Sequence, residues 1–115
     1  MVRTQSEAAL HYTKMKVETA PRRRIIYLLH EKCVYEVQKA LRFPDVRRRH
    51  LDRAQNILSQ LQLSLVVDDT VSESIFYLYD YCYSRLEVGA AADMMDALAI
   101  LRPLKDTFFA LLSLR

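Results

Sequence analysis

The scarcity of glycine constrains the fold of this chain more than any other feature of its sequence. One residue in 115, Gly89, is glycine, and three others, Pro21, Pro44 and Pro103, are proline. Sheets joined by tight turns usually need more glycine, because many of those turns require a positive φ. About half of the residues are apolar and about a quarter are charged, as in globular proteins. The sequence therefore predicts an all-α fold with short connections between its helices.

A first helix is predicted between Thr19 and about Leu41. Thr19 can act as an N-cap, and Pro21 follows in the first turn, where a helix does not need a hydrogen-bonded N–H. The apolar face of this helix should consist of Ile25, Ile26, Leu29, Cys33, Val37 and Ala40.

A second helix should begin after the break at Phe43–Asp45. Its apolar residues recur with spacings of three and four, which is typical of helices packed nearly antiparallel. They are Leu51, Ala54, Leu58, Leu61 and Leu65. The pattern ends at Val66 and Val67, after which an aspartate or threonine within Asp68–Thr70 can cap the next helix.

The third predicted helix ends near Gly89, and the fourth begins at Ala92 or Asp93. Pro103 falls inside the fourth helix, where the loss of one backbone hydrogen bond should produce a kink. The apolar residues of this helix are Ala97, Leu101, Leu104, Phe108 and Leu111. Together the pattern predicts an antiparallel four-helix bundle over residues 19–115. Residues 1–18 precede the predicted bundle and are too few to fold alone.

The third helix carries an unusual number of aromatic rings. Residues 74–86 read SIFYLYDYCYSRL. The core face should consist of Ile75, Leu78, Tyr79, Cys82 and Leu86. Phe76 and Tyr83 are predicted to flank this face on one side, and Tyr77 and Tyr81 on the other. Four flanking rings exceed what a small bundle needs to cover its core, so they favour a binding site for a partner protein.

Residues that could support catalysis or metal binding are few. A chain with one glycine cannot form a glycine-rich phosphate loop, and no Glu-x-x-His pair of the di-iron type is present. His30 and Cys33 have the i, i+3 spacing of metal ligands, but no second pair has a comparable spacing. Cys33 and Cys82 lie on separate segments and are expected to be small buried hydrophobic residues. We therefore expect neither an enzyme nor a cofactor, and the histidine should lie at the edge of the core.

Two basic clusters, Arg22–Arg24 and Arg47–His50, lie in the opening turns of the first and second helices. Positive charge there opposes the helix dipole. One explanation is a nucleic-acid site, which would make the protein a small basic regulator that binds RNA or DNA. The other is a solvated surface, which a net charge of only +3 and the absence of interleaved aromatic residues favour. Nucleic acid is the less expected partner.

The cellular location is predicted from two absences. No apolar run approaches the ~20 residues that a membrane-spanning helix needs. The N-terminal residues MVRTQSEAALHYTKMK lack the apolar core of a signal peptide. We therefore expect a cytoplasmic protein that is not inserted in a membrane.

Two blocks of sequence resemble a known family. The segment Ala54–Ile57 reads AQNI, and Leu78–Tyr81 reads LYDY. In this order, the two blocks resemble the flagellar secretion chaperone FliS. Further residues that fit the family are Tyr12, Val17–Ala20, Leu61, Ser64–Leu65 and Arg85–Leu86. Members of the family usually carry tyrosine where this chain has His30, and often tryptophan where it has Phe108.

The resemblance implies a function that the composition does not reveal. FliS chaperones are cytoplasmic four-helix bundles, not enzymes. They bind the disordered C-terminal segment of flagellin along apolar grooves, prevent its premature polymerisation and help to deliver it to the flagellar export gate. Tyr12 and Val17 would belong to an N-terminal cap over part of that groove. Leu58, Leu61 and Leu65 would line the groove or support it from the core. An alternative is a bundle that has no client and only forms a homodimer through its aromatic face.

Overall fold

The computed structural model describes residues 20–113 and contains four α-helices. They are α1 (Ala20–Arg42), α2 (Arg47–Ser64), α3 (Thr70–Val88) and α4 (Ala91–Leu111), with a short 3-10 turn at Pro44–Val46 before α2. The described residues include no strand. This confirms the all-α prediction and places each predicted helix within a few residues of its observed ends.

The helices form a ring in which each one packs against two neighbours. The packed pairs are α1 with α2, α2 with α3, α3 with α4, and α4 with α1. Within residues 20–113, the diagonal pairs α1/α3 and α2/α4 make no close backbone contacts. Because the connections are short, successive helices run antiparallel, which confirms the predicted four-helix bundle. The outer faces of α1 and α3 therefore point away from each other.

The core lies along the axis of this ring. Leu58 is fully buried and Leu61 is 2% exposed, whereas Leu65, which follows α2, is partly buried against the core. The first two leucines therefore belong to the core and not to the surface of a groove. One predicted core residue of α1 is wrong: Ile25 is 55% exposed, because adjacent helical residues point about 100° apart and Ile26 takes the inward position.

The ends of α3 follow the predicted signals. The Asp69 carboxylate accepts a hydrogen bond of 2.7 Å from the Ser72 N–H, and the Ser72 hydroxyl oxygen accepts one from the Asp69 N–H. Gly89 ends the helix with φ of 75°, a conformation that favours glycine. A Cβ atom at this position would also lie only 3.0 Å from the Leu51 side chain. The one glycine of the chain is thus required by both its conformation and its surroundings.

α4 begins at Ala91, close to the predicted start around Ala92 or Asp93. The Asp93 carboxylate lies in the first turn and accepts a hydrogen bond from the Ala90 N–H. Pro103 lies inside α4, as predicted, and the Thr107 hydroxyl donates to its carbonyl oxygen at 2.9 Å. The kink at Pro103 stays a prediction. None of the described helices is long and apolar enough to cross a membrane.

Candidate functional site

The part of α3 outside its buried core face carries four aromatic rings, Phe76, Tyr77, Tyr81 and Tyr83, which we call the tyrosine face. Tyr77 is 62% exposed, Tyr81 44% and Tyr83 38%, while Phe76 is partly buried. Phe76 and Tyr77 pack edge to face with ring centroids 5.8 Å apart. The Arg85 guanidinium lies 5.4 Å from the centre of the Tyr81 ring. Phe76 therefore supports the Tyr77 ring, and Arg85 supports the Tyr81 ring.

The positions of Tyr77 and Tyr81 differ from the sequence-based prediction. These residues lie two positions before and two after Tyr79, whose ring is 1% exposed. A separation of two residues rotates a side chain by about 200° around a helix, so both tyrosines point away from the core instead of flanking it. Val88, which is also exposed, continues the same stripe toward the end of α3. α3 is therefore apolar on two opposite faces.

The other two rings lie on the side of α3 that faces α2. The Gln62 side chain donates a hydrogen bond to the Phe76 carbonyl oxygen at 3.3 Å, and the buried Gln55 side chain donates one to the Tyr83 carbonyl oxygen at 3.2 Å. These bonds attach the backbone beneath the rings to the neighbouring helix. The tyrosine face consequently has a rigid support, which lowers the entropy lost when a partner binds.

An exposed apolar patch at the α2–α3 connection was missed by the sequence analysis. Leu63 is 88% exposed and Val71 is 68% exposed, with Val66 and Val67 exposed between them. Val66 and Val67 were interpreted only as the end of the second helix. Their apolar character just before the polar cap Asp69 was the signal that could have revealed the patch. Phe76 lies five residues after Val71 on α3, which is between one and two turns. The patch is therefore close to the first ring of the tyrosine face along the helix.

A buried hydrogen bond connects α1 and α3 across the centre of the bundle. His30 is fully buried, and not at the edge of the core as the sequence suggested. Its Nδ1 atom lies 2.8 Å from the Ile26 carbonyl oxygen and must carry the proton, so Nε2 accepts a 2.7 Å hydrogen bond from the Tyr79 hydroxyl. The imidazole also stacks on Phe108, with ring centroids 4.6 Å apart. Burial lowers the pKa of His30 and raises that of Tyr79, so both groups remain neutral.

Both cysteines are buried and free, as the sequence predicted. The Cys33 thiol points to the Ala54 carbonyl oxygen at 3.6 Å, and the Cys82 thiol to that of Ala97 at 3.8 Å. Burial raises the pKa of Cys33 strongly and that of Cys82 to about 12. Because the thiolate is the reactive form, neither side chain is suited to act as a nucleophile.

A buried carboxylate at the α1–α2 interface was also missed. Glu36 is 1% exposed, and its oxygens lie 2.6 Å from His50 Nδ1 and 3.1 Å from Lys32 Nζ. Arg53 approaches to 4.0 Å. Burial by itself raises the pKa of Glu36, but the hydrogen bonds from His50 and Lys32 outweigh it and hold the pKa below its usual value. In the described part of the chain, no three His, Cys, Asp or Glu residues are grouped to hold a metal.

The arginine clusters bind the ends of neighbouring helices. Arg22 donates to the Ser64 carbonyl oxygen at the end of α2, and Arg47 donates to the Ala40 carbonyl oxygen in the last turn of α1. Arg48 donates to the Leu86 carbonyl oxygen at the end of α3, 3.2 Å away. In an antiparallel bundle, the start of one helix lies beside the end of the next. A cation that opposes the dipole of its own helix can therefore stabilise the end of the neighbouring helix.

Comparison with known proteins decides the family. The family model described as "Flagellar protein FliS" matches residues 4–112. The chain belongs to the FliS family. This is a chaperone family, and membership implies that the protein binds flagellar proteins and acts in flagellar export. Comparisons with curated proteins and with solved structures give no match.

In this FliS protein, the two positions at which the family resemblance noted departures, His30 and Phe108, contact each other. Their stacked rings pack α1 against α4. Neither residue belongs to the tyrosine face, which lies on α3.

Proposed function

We propose that this protein binds the disordered C-terminal segment of flagellin in the cytoplasm, prevents its premature polymerisation and assists its delivery to the flagellar export apparatus. The observation that carries the proposal is the tyrosine face, an exposed row of rings on a helix whose opposite face already fills the core. A surface of this kind is a typical protein-binding site, because exposed aromatic residues supply large contact areas.

The expected mechanism is coupled folding and binding. A disordered segment gains apolar burial on the rings and loses chain entropy as it becomes ordered, so a large contact area gives only moderate affinity. Tyr77 and Tyr81 are one turn apart, which matches the spacing of side chains on a helical segment lying along α3. Tyrosine hydroxyls at the rim can then hydrogen-bond polar groups of the client.

Contributions from the other predicted site residues differ in kind. Leu58 and Leu61 support the surface from the core, whereas the partly buried Leu65 lies next to the exposed valines. Tyr12 and Val17 lie outside the described residues. We propose that they belong to an N-terminal cap, residues 1–18, that covers part of the client surface in the free chaperone and moves when the client binds.

Light scattering of polymerising flagellin tests this proposal. We expect an equimolar amount of the chaperone to suppress filament growth of full-length flagellin from the same flagellar system. A flagellin that lacks its C-terminal segment serves as the control, and it should not form a complex with the chaperone in size-exclusion chromatography. Equal binding of both flagellins would overturn the assignment of the C-terminal segment as the client. Self-association of the chaperone through the tyrosine face, with no flagellin binding, would favour the homodimer instead.

A further inference from the structure

The outer face of α1 differs from the tyrosine face in its chemistry. It carries alternating cationic and aromatic side chains, which we call the basic face: Lys32, Tyr35, Lys39, Arg42 and Phe43. Lys32 Nζ and Lys39 Nζ each lie 5.1 Å from the centre of the Tyr35 ring. Lys39 Nζ and Arg42 Cζ lie 5.2 and 5.4 Å from the centre of the Phe43 ring. Tyr35 is 47% exposed and Phe43 40% exposed, so these cations and rings are directed to solvent.

A groove of about 540 Å³ runs beside the basic face, between α1 and α4. Its apolar lining includes Leu28, Val34 and Tyr35, and Lys105 of α4 adds a further cation to the lining. The only nearby carboxylate among the lining residues, Glu31, accepts a hydrogen bond from the Tyr27 hydroxyl at 2.8 Å. The groove can therefore hold apolar side chains. Lys32 is already paired with the buried Glu36, 3.1 Å away, so Lys39, Arg42 and Lys105 are the cations that can attract negative charge to its rim.

We propose that the basic face and its groove bind an acidic polypeptide segment that also carries apolar side chains, supplied by a second protein partner. The apolar lining would receive the apolar side chains, and Lys39, Arg42, Lys105 and the Tyr35 hydroxyl would bind the carboxylates. This partner differs from the flagellin client in its site. Because α1 and α3 lie diagonally in the ring, both surfaces can be occupied at the same time.

Three other occupants fit less well. The N-terminal residues 1–19 contain Arg3, Lys14 and Lys16 but only Glu7 and Glu18, so their charge does not complement a basic surface. A second copy of the chain, docked symmetrically, would place like charges opposite each other. A nucleic acid would need free ring faces for base stacking, but ammonium groups already lie over the Tyr35 ring.

Fluorescence anisotropy on the full chain tests this proposal. The probe is a labelled peptide of glutamates interspersed with leucine and phenylalanine, compared with a matched peptide in which glutamine replaces glutamate. We expect the Lys39→Gln/Arg42→Gln variant to bind the acidic peptide about tenfold more weakly, since two exposed charge pairs are lost. Arg24→Gln is the control, because Arg24 lies 15 residues before Lys39, which is about 22 Å along α1. It should leave the affinity nearly unchanged.

Several outcomes would overturn the proposal. They are equal binding of the glutamine peptide, no binding of the acidic peptide, or equal weakening by Arg24→Gln. Tighter binding of single-stranded oligo-dT that depends on Lys39 and Arg42 would assign the face to nucleic acid instead. If the double variant does not fold, the Tyr35→Ser variant replaces it. This variant should bind the acidic peptide more weakly and the flagellin peptide normally. A flagellin C-terminal peptide at saturating concentration should not displace the labelled acidic peptide. Displacement would contradict the separation of the two surfaces.

Discussion

The outer faces of α1 and α3 occupy equivalent places in the ring but present different surfaces. On α3, Tyr77 and Tyr81 lie opposite the core, and among the described residues one cation, Arg85, lies over a ring. On α1, Tyr35 lies between two lysines. An apolar surface draws its affinity from burial and depends little on salt, whereas a basic surface attracts acidic groups and weakens as salt rises. The comparison shows that one bundle can present two surfaces of different chemistry on opposite sides.

The largest effect is expected in the core that supports both faces. Leu58→Ala should lower the free energy of unfolding by about 2–5 kcal/mol, because a fully buried leucine leaves a cavity. Leu63→Ala is the matched control: that leucine is 88% exposed, so the change should stay within about 0.5 kcal/mol. Denaturant titration followed by circular dichroism measures both. A small effect of Leu58→Ala would place this leucine in a client groove instead of the core.

The hydrogen bond between Tyr79 and His30 is the direct connection between the two helices that carry the faces. Tyr79→Phe should cost about 1–3 kcal/mol of stability, because His30 Nε2 would remain buried without its donor. A Tyr79→Phe/His30→Leu double variant removes both partners of the hydrogen bond. Its loss of stability should be smaller than the sum of the losses in the two single variants. Strict additivity in the thermal and denaturant data would show that the bond does not couple α1 to α3.

A third prediction concerns the arginines near the start of α2. Arg48→Ala should lower the free energy of unfolding by about 1 kcal/mol, because Arg48 binds the carbonyl groups at the end of α3. Arg49→Ala, one residue away and exposed, should have little effect. Equal stability of the two variants, together with reduced RNA or DNA binding, would restore the arginine cluster as a nucleic-acid site.

The buried His30 predicts a modest dependence of stability on pH. Because the folded-state pKa of His30 is lowered, the unfolded chain takes up the proton first as the pH falls through about 6.5. The stabilisation is therefore present above that pH and decreases below it, by at most about 1.4 kcal/mol per pH unit. His30→Leu should flatten this part of the stability profile measured by denaturant titration. A profile that is unchanged in the variant would assign the dependence to another group.

Glu36 acts in a separate pH range. Its pKa is lowered in the folded protein, so its contribution is complete above the ordinary carboxyl value of about 4.3. That contribution is lost only as the pH falls through the lower folded value. The titration of Glu36 therefore does not change stability between about pH 7 and pH 5. In that range, the difference in free energy of unfolding between the wild type and His30→Leu reports on His30.

Local features of the fold could be predicted from the sequence, and long-range polar contacts could not. Asp69 and Gly89 act on residues within one turn, so their roles follow from neighbouring positions. The carbonyl group that Arg22 binds lies 42 residues away, and the Leu86 carbonyl group that Arg48 binds lies 38 residues away, although Arg48 also pairs locally with Asp52. Nothing in a local pattern identifies these carbonyl groups. The clusters therefore suggested a solvated surface or a nucleic-acid site before the packing of the helices was known.

The candidate site was predicted in part. The crowding of rings in residues 74–86 indicated an unusual helix, and its rotation of about 100° per residue was sufficient to place Tyr77 and Tyr81 opposite Tyr79. The prediction described both tyrosines as flanking the core face, although two residues along a helix correspond to a rotation of about 200° from Tyr79. Burial of Glu36 could not be foreseen, since it depends on His50 and Arg53 from another helix.

Titration with a flagellin C-terminal peptide tests the central claim, that the tyrosine face binds the client. We expect Tyr77→Ser/Tyr81→Ser to bind the peptide about thirtyfold more weakly, because two exposed aromatic anchors are lost, while its melting temperature stays close to that of the wild type. Tyr35→Ser is the matched control on α1 and should bind the peptide normally. Unaltered binding by the Tyr77/Tyr81 variant, or an equal loss in Tyr35→Ser, would contradict the claim.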